Sequence, residues 1–443
     1  MVGGALAVAL GAATPVFAQG ARPGTDPQLL NQFDQTFKAM LANPADLDVT
    51  FRYAELAIQV GDFEAAISAL ERMLLFNPDL PRVRLELGVL YFRLGSYSVA
   101  RSYLQRAIEG PNVPDDVRSR VAIYLAEIDK RMSPHQFAGS IYGGVRYQTN
   151  ANAGPERAAV TVLGLPFNLD GRFTQKNDRN LFLSGSMRHT YDPQLQSGDV
   201  LVTEATVYGA KQDEQDQLNL LFVELTFGPR GQFFSEHLEG VTYRPYVLVD
   251  YVGLEDTSYF YAPGAGINFT KQFTPALIGE INFQAKDKTY YDTARRPTSS
   301  LQDGPEYETR VDLRYQVTND IAVSGGVYYK AESADASFHS NDEVGITAGI
   351  VHVYAAPFSL TAQDWTSSLS GAWLETNYHQ PDIAVDPNED RHDQEWRATF
   401  LTSVPVTPDW SVIGTLQRTV VESNFKNFTY TNWAASIGAA WRF

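Results

Sequence analysis

The sequence predicts a two-domain α + β protein, a short α-solenoid followed by an antiparallel transmembrane β-barrel of about fourteen strands. Three observations predict it. Apolar residues recur at helical spacing over residues 27–132 and repeat with a period of about 34 residues. After Ser133-Pro134 the period falls to two and stays there. The chain then ends in ASIGAAWRF, where Ala435, Ile437, Ala439, Trp441 and Phe443 alternate with smaller or polar residues. So apolar a strand at a chain end is an aggregation-prone edge unless it closes a sheet.

Composition narrows the partners. A formal net charge of -17 over 443 residues excludes a nucleic-acid backbone as the main partner, since phosphate binding needs clustered Lys and Arg. The absence of Cys removes disulfides, thiolate nucleophiles and cysteine metal sites. The opening MVGGALAVALGAATPVFAQG reads as an apolar core with a small-residue cleavage site, Val16-Phe17-Ala18 before Gln19. Residues 1–18 are thus expected to be a signal peptide, although no Lys or Arg stands ahead of the apolar core, which leaves the true start codon open. Beyond residue 18 no run approaches the ~18 consecutive apolar residues of a spanning helix, so any insertion is by strands.

Residues 19–132 form the first domain. Two blocks superimpose at the tetratricopeptide (TPR) period: Gly61 answers to Gly95, Phe63 to Tyr97, Ala66 to Ala100 and Leu70 to Leu104. Each Gly permits the turn between two helices, each Ala lets them approach, and each aromatic fills the angle between them. Pro78 closes the first block, and helical material at 29–41 and 115–130 caps the pair.

Residues 133–443 form the second. From Gln136, the residues Phe137, Ile141, Val145 and Tyr147 share one face, while Ser140, Tyr142 and Arg146 share the other. In YETRVDLRYQV, Tyr307, Thr309, Val311, Leu313, Tyr315 and Val317 alternate with Glu308, Arg310, Asp312, Arg314 and Gln316. The pattern recurs at 277–288, 321–332 and 395–404, as a closed barrel with a polar inside requires. Short turns at KQFTP, VTND and VTPD are expected on the periplasmic side, and the longer segments 148–177, 292–304, 332–342 and 379–393 on the outer side. In that orientation the helices and the C-terminus are periplasmic.

Motifs for chemistry are missing. There is no GxSxG elbow, no HExxH, and no His placed with Ser and Asp as a nucleophilic set, so no catalytic residue, metal or cofactor is expected. Asp386-x-Asn388-x-Asp390 begins like a calcium loop, but Arg391 stands where the turn glycine belongs. Two surfaces remain. The inner helices of the repeats offer a client-binding groove with Glu55, Gln59, Arg82, Phe92, Arg93 and Glu127, alongside Ile58, Val89 and Ile123. The barrel lumen offers Glu280, Lys286, Arg310, Asp312, Arg314 and Arg397, with Lys288, Glu308, Lys330, Glu332 and Glu395. Both signs interleave there, the pattern of a lining that holds itself together by ion pairs.

The layout of leader, short TPR domain and barrel resembles the surface lipoprotein assembly modulators, the Slam family. The junction VPDDVRSRVAIYLAEIDKRMSPHQFAGSIYGGVRYQTNANAGP, the segment NLLFVELTFGPRG and the closing WRF carry the likeness. The resemblance implies an outer-membrane translocon that moves lipoproteins or related secreted proteins to the cell surface, with the helical domain in the periplasm. It brings no catalytic residues. Gly438, Trp441 and Phe443 are similar to the C-terminal signal that the barrel assembly machinery reads, so that machinery and outer-membrane lipid join the client as implied partners. The rival readings are an exopolysaccharide export porin with a TPR accessory domain, and a diffusion porin.

Overall fold

The computed structural model describes residues 27–110, 113–233 and 238–443, which fall into two compact units divided after Ser133. The signal-peptide reading of residues 1–18 lies outside the described residues.

In the first unit six helices follow one another: α1 (Pro27–Ala42), α2 (Leu47–Val60), α3 (Phe63–Phe76), α4 (Pro81–Arg93), α5 (Tyr97–Ala107) and α6 (Asp115–Met132). Their ends are set locally. The Asp46 carboxylate accepts from the amides of Asp48 and Val49, and Asp62 accepts from Ala65, so orphan donors at two helix starts are satisfied. Gly61 and Gly95 take left-handed φ of 84° and 74°, which side-chain-bearing residues adopt at a cost, and each reverses the chain inside its repeat. The aligned residues Ala66, Ala100, Leu70 and Leu104 are all buried. They belong to two apolar clusters, one across α1–α4 and one across α4–α6.

In the second unit fourteen strands close into an antiparallel barrel: β1 (His135–Gln148), β4 (Asp178–Tyr191), β5 (Val200–Gln212), β6 (Leu220–Gln232), β7 (Val241–Leu254), β8 (Thr257–Thr274), β9 (Leu277–Tyr290), β10 (Gly304–Gln316), β11 (Ile321–Glu332), β12 (Asn341–Tyr354), β13 (Trp365–Tyr378), β14 (His392–Pro405), β15 (Trp410–Ser423) and β16 (Tyr430–Arg442). A separate hairpin, β2 (Ala159–Val162) with β3 (Leu165–Asn168), interrupts the link between β1 and β4. The strands predicted over 277–288, 307–317, 321–332 and 395–404 are present as β9, β10, β11 and β14.

Alternation sets the faces. Phe137, Ile141, Val145 and Tyr147 on β1, Tyr307 and Leu313 on β10, and Trp433 and Ile437 on β16 are exposed on the outside. Closure is between β1 and β16, in register from Ser140 opposite Arg442 to Gln148 opposite Ala434. Beyond the last ladder pair, the Gly139 amide donates to the Phe443 carbonyl at 3.0 Å and the Phe443 amide returns a bond at 3.1 Å. The terminal strand is therefore paired along its length.

The KQFTP, VTND and VTPD turns share one end of the barrel, called here the turn end, where the chain enters from α6. The opposite loop end holds the long segments, but the asymmetry is not strict. The links 192–199 and 355–364 lie at the turn end, and β7 joins β8 at the loop end through Glu255 and Asp256 alone.

Candidate functional site

On the helical unit, the residues expected to form one open groove are partly engaged with one another. α6 packs over the inner face of α4. Val89 is buried against it, Arg82 pairs with Asp116 at 3.3 Å, and Glu86 pairs with Arg120 at 3.0 Å. Both pairs join residues 34 positions apart, so equivalent sites in successive repeats carry opposite charge. The side chains of Arg82 and Asp116 are 68% and 60% exposed, and such a pair stabilises by about 0–1 kcal/mol. It remains easy for a ligand to open.

Phe92 sits between Tyr97 and Tyr124, with centroids at 5.6 and 5.4 Å, and the Arg131 guanidinium covers its ring at 5.1 Å. Arg131 also donates to Glu127 at 2.8 Å and to the Tyr97 hydroxyl at 3.1 Å. Glu127 and Phe92 thus belong to one cluster, while Glu55, Gln59, Arg93 and Ile123 stay solvent-facing. Behind this surface Tyr91 and Tyr103 stack at 5.5 Å, and both hydroxyls donate to Glu71. Burial, then the bond to the Glu71 carboxylate, pushes Tyr103 up to about 12, so it stays protonated at neutral pH.

Inside the barrel, the expected lumen residues alternate with exposed apolar ones such as Phe283, Tyr307, Leu313, Val327 and Trp396. Glu280 faces Asp312, Lys286 faces Glu306, and Arg314 faces Ser324. The chemistry differs between the two halves. In the loop half, Lys286 reaches Asp250 at 2.9 Å and Glu306 at 3.2 Å, and Lys288 reaches Glu332 at 3.0 Å while also contacting Glu306. Lys330 pairs with Glu343 at 3.3 Å, which also accepts from Tyr328 and Thr376. Arg397 pairs with Glu395, and Arg391 with Asp393. The Glu306 and Lys288 side chains are only 6% and 10% exposed, whereas Arg310 and Asp312, nearer the turn end, are 39% and 40% exposed. Buried charges persist only when paired and hydrogen-bonded, and this layer of the lining satisfies its charges internally. The wall at the seam is apolar instead. Tyr142, Phe182, Ala210, Ile413 and Ala440 are buried together, and Arg146 lies over Phe182 while donating to Tyr208 at 2.8 Å.

Loops lace the loop end together. Thr161 exchanges two hydrogen bonds with the Asn427 side chain, at 2.8 and 2.7 Å. The amides of Leu163 and Gly164 donate to the carbonyls of Ala384 and Val385. On the other side Arg295 pairs with Glu255 at 2.6 Å and Arg296 donates to the Gln217 carbonyl. Asp386, the first residue of the calcium-like stretch, accepts from the Asn388 amide and so turns onto its own loop.

The turn half instead holds a cavity of about 670 Å³, lined from β4 to β9 by Arg188, Glu204, Arg230, Arg244, Tyr246 and Asn282 among others. Sequence reading passed over these residues. Their signal was there, since Arg188, Glu204 and Arg244 fall on the inward positions of their strands, but it needed the strand pairing to bring them together.

Comparison with known proteins places both units. Residues 54–123 match the tetratricopeptide repeat, and residues 138–441 match the family described as surface lipoprotein assembly modifier. None of the curated proteins matches. Among solved structures, the Yersinia enterocolitica type III secretion chaperone SycD, in complex with a peptide of the translocator YopD, is 15% identical; the match covers 24% of this chain and 83% of that one, with a TM-score of 0.23. The P58(IPK) TPR domain is 20% identical over 23% of this chain and 28% of that one, with a TM-score of 0.22.

Proposed function

The chain belongs to the surface lipoprotein assembly modifier family, and on that ground we propose that it is an outer-membrane translocon delivering lipoproteins, or related secreted proteins, to the cell surface. The observation that carries the reading is the family match across residues 138–441, which takes in nearly the whole closed barrel rather than the repeats alone. A transport role also fits the apolar outer band, which gives the barrel a bilayer to sit in. In this reading the helical domain lies on the periplasmic side and engages the client first. The opposed charges of Arg82 and Asp116, and the solvent-facing Glu55, Gln59 and Arg93, offer groups that an extended segment can displace or join. Phe92, held under Arg131, contributes a ring edge rather than an open anchor. Gly438, Trp441 and Phe443 serve barrel assembly, and the lumen charges hold the interior together.

The ion pairs buried in the loop half stand against a diffusion porin, because they take up charge that a porin lining would present to solutes. A polysaccharide porin calls for free aromatic rings along the lumen; the inward Tyr142, Phe182 and Tyr208 are taken up by one another and by Arg146.

The test is display in a Gram-negative host that lacks the family. A lipoprotein encoded beside this protein is co-expressed with it, and protease is added to intact cells. The client should be digested only when the protein is present. A client that stays protected while the barrel is folded in the outer membrane would contradict the reading.

A further inference from the structure

We propose that the turn-half cavity is a binding site for a short, extended polypeptide segment carrying a carboxylate side chain, with Arg230 as the group that receives the charge. This deepens the translocon reading and rests on it. A volume of about 670 Å³ lies in the range of ligand clefts, and the neutral lining, including Tyr246, Asn282 and Gln284, supplies donors and acceptors suited to a peptide backbone.

The charges decide the class of ligand. Arg188 and Arg244 share one carboxylate, Glu204, at 2.5 and 2.6 Å, and Arg244 donates to Thr226 as well. Arg230 lines the same cavity, is exposed to it, and has no ion pair among the described residues. Between β6 and β7, Phe227 pairs with Val247 and Gly231 with Tyr243, a register that sets Arg230 against Arg244. Like charges directly opposed across two strands repel, and an anion between them turns that repulsion into attraction.

The remaining carboxylates of the cavity do not supply that anion. Glu224 is on the same strand as Arg230, about 20 Å along it at ~3.3 Å per residue. Glu280 is three strands away, about 14 Å at ~4.8 Å per strand, and is held by Asn268 at 2.6 Å. Guanidinium forks match carboxylates bidentately, so a Glu or Asp side chain entering from the turn end fits Arg230.

The experiment uses the purified full-length protein in detergent and a short fluorescent peptide of alternating Ser and Glu, with alternating Ser and Gln as the comparison, read by anisotropy. The Glu peptide should bind more tightly than the Gln peptide, and Arg230→Gln should weaken it about tenfold, the scale of one charge-assisted hydrogen bond. Glu204→Gln should tighten it several-fold by freeing two guanidiniums, an outcome that general damage to the barrel would not produce. Equal binding of the two peptides, no effect of Arg230→Gln, or weakening by Glu204→Gln would overturn the site. Displacement of the peptide by glycerol phosphate at equal or lower concentration than by free glutamate would overturn it in favour of a lipid headgroup. Surface display of the client by the native protein separates the two levels: display with no peptide bound defeats this site alone, and no display with the native barrel folded in the outer membrane defeats the translocon reading.

Discussion

Phe443 ends the chain with its ring against Gly139, where an added Cβ would lie 2.6 Å from the ring and also strike the Ser186 carbonyl oxygen. Backbone cannot retreat as a side-chain tip can, so Gly139→Val should displace either Phe443 or the β4 edge. Unboiled samples on a denaturing gel should then show less of the fast-running closed barrel, as they should when Phe443 is deleted, whereas Arg442→Ala, on the inward face, should leave the band unchanged. A Gly139→Val barrel that closes as the native one does would refute the packing argument. Trp441 stacks with Trp410 and touches Phe443 at 4.9 Å, so the three rings form an aromatic rim at the turn end. The residues of this last strand were legible from their apolar alternation. Gly139 was legible only as one glycine among several on β1, since its contact depends on a residue at the far end of the chain.

At the scale of elements, the helical repeats bury two apolar clusters built wholly from residues of α1–α6. Leu104 is fully buried between α4 and α5, with Gly88 leaving space for it. In a segment of residues 27–132, Leu104→Ala should lower the unfolding free energy by about 2–5 kcal/mol, measured by denaturant titration followed by circular dichroism. A change below about 0.5 kcal/mol, as expected for a surface site, would mean that the repeats do not pack as described. The long strands could be read from sequence because one face is apolar and the other charged. The β2–β3 hairpin could not. Its turn is Leu163-Gly164, both at positive φ, 52° and 75°, a geometry for which Asn-Gly is the usual signal. Glu255 and Asp256, at 56° and 59°, hide a second tight turn in the same way. The groove was only half legible for a related reason: helical spacing gives the face on which Val89 and Arg82 lie, but not that α6 covers it.

At the scale of the whole barrel, inward charge was legible strand by strand, while its division into a loop half of buried ion pairs and a turn half with a cavity follows from pairing around the closed sheet. In planar bilayers the native protein should carry little current, and Glu306→Ala should raise it, because that carboxylate joins Lys286 to Lys288 and its loss leaves two buried cations short of a partner. Large steady currents from the native barrel would show that this paired layer does not close the lumen.

The translocon reading is tested most directly on intact cells lacking this protein, by protease accessibility of their surface lipoproteins beside the amount of surface polysaccharide. Lipoproteins that become protected while polysaccharide is unchanged, with display restored by the full chain, is the predicted result. Lipoproteins still digested at the surface, with capsule or matrix polysaccharide lost, would contradict it.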